Sequence, residues 1–116
     1  LQVFGLPTRV YFGTNIQRTE ARGFDALTAA GLARFSRTAW QGPLGRALHQ
    51  AERLAGMARA SQGALVPIRD RADLDRLRRA RAAGEDVVGA VLALEGAHAL
   101  ESDPANLQRV FAARYR

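Results

Sequence analysis

Leu92-Ala-Leu-Glu-Gly-Ala-His-Ala-Leu100 decides how this chain is read. The run that leads into it, residues 86–94, is mostly apolar and rich in valine, as expected of a strand covered on both faces of a parallel sheet. It stops at a carboxylate, Glu95, followed by Gly96 and then His98. Open and closed α/β folds place their chemistry at the carboxyl ends of strands, and a glycine there lets other groups approach closely. Glu95 is therefore the first candidate functional residue. A carboxylate at that position can bridge two cations so that both polarise one water. The same residue would equally serve as a cap for the next helix or face solvent. His98 shares a face with Glu95 only if the backbone after Gly96 is helical. Glu and His at that spacing can be ligands in helix bundles, but after a strand a supporting or structural role suits the histidine better. His49, on a helix and distant in sequence, reads as a surface or packing residue.

Working outward, Leu1-Gln-Val-Phe-Gly-Leu6 reads as a short strand ended by Pro7-Thr8. Residues 8–23 read as an extended connecting loop, and residues 24–35 as a helix with Phe24, Leu27 and Phe35 on one side and Asp25 in its first turn. Phe35 and Trp40 are placed to pack under the next helix or to face a substrate. Pro43 suits a first helical turn, and Leu44, Ala47, Leu48, Ala51, Leu54, Ala55 and Ala58 then recur at helical spacing, with Gly63 as the stop. Ala64-Leu-Val-Pro-Ile68 is either an extended connection or a brief edge strand, because Pro67 cannot donate to a ladder. Asp70, with Asp73 three residues on, opens a further helix whose inner stripe is Leu74, Leu77 and Ala80 and whose end is Gly84. Asp103-Pro104 is expected to start a last helix with Leu107, Val110 and Phe111 facing inward. Strands alternating with helices argue for a parallel α/β sheet. Two clear strands close neither a sheet nor a barrel, so the chain reads as a segment of a larger architecture.

A chain of 116 residues is one domain at most. No apolar stretch reaches the roughly twenty residues of a membrane span, and no charged-then-apolar leader is visible. Leu1 already lies in an apolar run and Arg116 ends abruptly, which is expected of a piece of a longer protein. Without cysteine there is no disulfide, thiolate ligand or thiol nucleophile, so any metal must be held by Asp, Glu, His or backbone oxygen. Thr14, Ser36, Ser61 and Ser102 lack a nucleophile-elbow context, and no glycine-rich phosphate loop occurs. The net charge of +6 comes from arginine alone, with no lysine. It puts nucleic acid forward as a partner, and residues 69–81 are dense in arginine. The acids of that stretch alternate with its bases, however: Asp73 is placed to pair with Arg76, and Asp75 with Arg78 or Arg79. The pattern is that of a solvated helix face, without the aromatics that stack on bases.

At Leu94-Glu-Gly-Ala-His98 the chain resembles the renal (membrane) dipeptidase family of zinc metallopeptidases. In that family a strand ends in Glu-Gly-Gly-His or a close variant, and a helix and a Gly-x-Arg-Tyr-like turn lead into the next strand. Leu107-Gln-Arg-Val-Phe-Ala-Ala-Arg-Tyr-Arg116 is similar to the latter part, and Leu1-Gln-Val-Phe-Gly-Leu-Pro7 to the family's second barrel strand. The resemblance is specific around residues 91–100 and 107–116. It implies an α/β fold: a partial (β/α)8, TIM-type barrel segment of the amidohydrolase kind, about strands two and three with their helices. Residues 1–116 would be a single incomplete domain. The implied chemistry is hydrolysis of dipeptides by water activated on two zinc ions, with Glu95 at the metal-bridging position. The family's His-x-Asp ligands would lie upstream of Leu1, and its further histidines, including a substrate-binding one in a Leu-Thr-His strand, downstream of Arg116. The 116 residues alone are then expected to be inactive. The implied partner is a dipeptide substrate, with no nucleic acid expected; homo-oligomerisation and localisation stay open. Two positions depart from the family. Ala97 replaces its second glycine, and Arg114 stands where it has glycine before the next strand. If position 114 needs a left-handed backbone, arginine costs about 1 kcal/mol there. The rival readings are a small basic helical interaction module, nucleic-acid binding among its roles, and another amidohydrolase-type barrel enzyme.

Overall fold

The strand β3, Val88–Glu95, lies at the centre of a three-stranded parallel sheet in the computed structural model, which describes residues 1–7 and 42–116. On one edge it pairs with β1, Gln2–Pro7, in a register that sets Gln2 beside Ala90 and Pro7 beside Glu95. On the other edge β2, Leu65–Pro67, pairs with Val88, Gly89 and Ala90. The apolar stretch around Pro67 is thus a brief edge strand, as proline requires. Past the end of β2, Tyr115 takes up the same edge in a parallel bridge to Leu92, and the Arg116 amide donates to the Leu92 carbonyl at 2.9 Å.

Among the described residues three α-helices accompany the sheet in a mixed α/β structure: α1, Pro43–Ala60; α2, Arg71–Ala82; and α3, Asn106–Ala112. The helix and loop expected within residues 8–41 lie outside the described residues. Alternate residues of a strand point to opposite faces, and the two faces of β3 are packed differently. Ala90 and Leu92, with Leu94 beside them, meet Leu44, Ala47 and Leu54 of α1, Ala99, Val110 of α3, and Tyr115. Burying each leucine there contributes about 2 kcal/mol. Tyr115 closes this core with its hydroxyl, which donates to the Ala47 carbonyl at 2.8 Å. On the opposite face, α2 covers only the amino-terminal end of β3, through Leu77 against Ile68 and Val87, with Val66 and Val91 at the margin. Gly89 makes this approach possible, because a Cβ there would collide with Leu77.

The start of α2 forms as its sequence suggests: the Asp73 amide donates to Asp70 Oδ1 at 2.9 Å. The last helix differs from expectation. It begins at Asn106, after a turn in which Asp103 Oδ1 accepts from the Ala105 amide. Only Val110 of the three expected inward residues is buried; Leu107 and Phe111 are 58% and 59% exposed. The phase of this two-turn helix is set by Asn106, buried and donating through Nδ2 to the Leu100 carbonyl at 3.0 Å. Asn106 and Val110 therefore share the inner side, and Leu107 and Phe111, each one position on, turn outward. Phe111 instead meets the Arg116 guanidinium, 4.4 Å from its ring centroid.

Candidate functional site

Glu95 is the last residue of β3 and is exposed. Leu92 and Leu94 point toward α1 and α3, so alternation puts Glu95 on the other face, with Val91 and Ala93. Along that face Val3 of β1 is 54% exposed, and a Cβ on Gly5 would meet nothing within 4 Å. Among the described residues, the carboxyl half of this face carries no helix. Glu95 thus stands at the carboxyl end of a central parallel strand, on its open side.

Behind it the backbone turns sharply. Gly96 has φ +82, a conformation that favours glycine, and residues 98–100 form a single 3-10 turn, His98–Leu100. No α-helix carries Glu95 and His98 on one face, so the helical ligand spacing is not what the structure builds. His98 is exposed and lies over Gly96: a Cβ on that glycine would come within 3.5 Å of its ring. His49 is half-buried on α1, in keeping with a packing role.

The described residues contain no group of three or more His, Cys, Asp or Glu side chains able to hold a metal ion. Glu95 by itself is one ligand of a centre that needs several. Residues 8–41 contain no histidine in their sequence. Among the described residues no zinc centre is therefore assembled, and a metal at Glu95 would need ligands beyond them.

Two further features lie apart from Glu95. Asp73, singled out only as a helix-start residue and a partner for Arg76, is a fully buried carboxylate. Its Oδ2 accepts from the Arg69 amide at 2.9 Å and from Arg69 Nε at 3.0 Å, and its Oδ1 is shared by Arg69 Nη2 and Arg76. Hydrogen bonding from Arg69 outweighs burial and holds its pKa down at about 2. The network pins the exit of β2 to the first turn of α2. Arg116 Nε extends it by donating to the Arg69 carbonyl at 2.8 Å. Asp75 faces Arg71 at 4.0 Å, not Arg78 or Arg79. Arg71 and Arg79 lie four residues from Asp75 and Arg78 three, so all are in reach, and exposure leaves the choice weakly determined. The second feature is Arg114, with φ +75. The Arg114 amide donates to the Phe111 carbonyl at 3.0 Å and the Tyr115 amide to the Val110 carbonyl at 3.4 Å, the pairing of a Schellman helix end. A left-handed backbone is thus required at 114, and arginine occupies it.

Among the described residues, no helix is long and apolar enough to cross a membrane. Comparison of the chain with protein-family models, with curated proteins and with solved structures found no match.

Proposed function

We propose that these residues are the central part of a zinc-dependent dipeptidase barrel of the renal (membrane) dipeptidase type, with Glu95 as the metal-bridging carboxylate. The observation that carries the reading is the position of Glu95: exposed, at the carboxyl end of the central parallel strand, on a face whose carboxyl half carries no helix among the described residues. In a (β/α)8 barrel that face is the interior and that end carries the chemistry. The path of the chain supports it. From β1 to β3 to Tyr115, successive segments step across the sheet in one direction, and α1 and α3 pack on the same face. That is how consecutive βα units build a barrel wall. β2 and α2 are then an insertion under the amino-terminal end of the wall. The left-handed backbone at Arg114 agrees with the glycine expected there from the resemblance.

On this reading the other metal ligands come from chain outside these 116 residues, and the isolated segment binds zinc weakly and hydrolyses nothing. The test uses the complete protein and its coding sequence. A His-x-Asp strand before Leu1, a Leu-Thr-His strand after Arg116, and dipeptide hydrolysis that a chelator abolishes are the expected results. Changing an outer partner of a metal ligand typically costs 10–100-fold, so Glu95→Gln should lower activity by at least about a hundredfold. Absence of both flanking motifs would overturn the proposal.

A further inference from the structure

The loop between β3 and α3 crosses the carboxyl end of the sheet with three left-handed residues in seven: Gly96, Glu101 at φ +51 and Ser102 at φ +61. A left-handed backbone outside glycine persists where the surroundings over-determine it. On one side Asn106 holds the Leu100 carbonyl. On the other, Glu101 Oε1 accepts the amide of Leu44, 57 residues earlier, at 3.0 Å. The local sequence explains why that amide is available. The cap residue of α1 is Gly42, which has no side chain to offer, and Pro43 follows it. First-turn amides of a helix have no partner within the helix. Gly42 also makes room for the visitor: its φ is +117, and a Cβ there would collide with Glu101 Oε1. The carboxylate, moreover, sits at the positive end of the helix dipole. Immediately before the two anchors, Ala99 is fully buried in the core beside Leu44 and Ala47.

We infer that Glu101 is a positioning residue, a clasp that caps α1 from a distance and so fixes the path of the loop that begins at Glu95. The clasp stands on this geometry alone; its value for a metal-bridging Glu95 rests on the proposed function. Amide hydrogen exchange on the complete protein tests it with three variants. Glu101→Ala removes the acceptor, Gly42→Ala displaces it, and Glu101→Gln keeps an oxygen that can accept. Loss of a helix cap predicts about fivefold faster exchange at residues 96–102 and 44–46 in the first two variants. Glu101→Gln should stay near the wild-type rate, and β2 and α2 should be unaffected in all three. Wild-type exchange of the loop in both Glu101→Ala and Gly42→Ala would overturn the inference. Faster exchange spread evenly over β2 and α2 would also overturn it, since that is global loosening. Neither outcome bears on whether Glu95 binds metal, which Glu95→Gln tests separately.

Discussion

The two faces of the sheet are built from alternate residues of the same strands, yet they are treated differently. Ala90, Leu92 and Leu94 are met by two helices, a 3-10 turn and the Tyr115 ring. Among the described residues, Val91, Ala93 and Glu95 share their face with α2 only at its far end, and Val3 beside them is 54% exposed. A near-continuous apolar strand such as β3 is expected to be covered on both sides. The contrast teaches that, among the described residues, the packed face supplies most of the core, while the carboxyl half of the other face is left uncovered. A closed barrel interior is the proposed answer.

The largest effect of a substitution is expected on the packed face. Leu92→Ala should cost about 3 kcal/mol in a denaturant titration of the complete protein, the usual penalty for a buried leucine. Val3→Ala sharpens the contrast between the faces. If the open face becomes a barrel interior, this substitution costs about 1–2 kcal/mol. If the face stays in solvent, the change is within about 0.5 kcal/mol.

Next in size is Asp73, which secures α2 over its part of the open face. Its folded pKa lies below the ordinary carboxylate value, so its contribution is complete above about pH 5 and is lost as pH falls toward 2. Roughly 1–2 kcal/mol of stability should disappear over that window, allowing for solvent screening of the exposed arginines. Asp73→Asn should flatten that part of the pH–stability curve. On the packed face, Tyr115→Phe removes one buried hydrogen bond to Ala47 and should cost about 1 kcal/mol. The phenol pKa is raised to about 12 by burial, so the group stays neutral throughout. The smallest expected effect is a gain. α2 and α3 end in the same way, α2 with Gly84 at φ +85 and α3 with Arg114 at φ +75. Arg114→Gly should raise stability by about 0.5–1 kcal/mol, read as a higher melting temperature.

Much of this was legible in the sequence because it is local. The valine-rich run to Glu95, Pro43 at the start of α1 and the Asp70 cap of α2 are written within a few residues of where they act. Period and cap chemistry suffice for those. The left-handed position at 114 was legible as a departure from a family pattern. What the sequence hid is which of several possible partners a side chain takes, near or far along the chain. The outward turn of Leu107 and Phe111 follows from one hydrogen bond between Asn106 and Leu100. The partners of Asp73 include a residue before the helix as well as one on it. Nothing near Glu101 announces a helix cap 57 residues away. The candidate site was legible only in part: Glu95 lies at a strand end that can be read, while no metal-binding group is assembled among the described residues.

On the proposed function, Glu95 bridges metal at the mouth of a barrel. Metal analysis of the complete protein, wild type and Glu95→Gln side by side, tests it most directly. Two zinc ions per chain in the wild type, falling to one or fewer in a variant that is still folded, is the predicted result. A wild type without zinc, or a folded variant with its zinc content unchanged, would contradict the account.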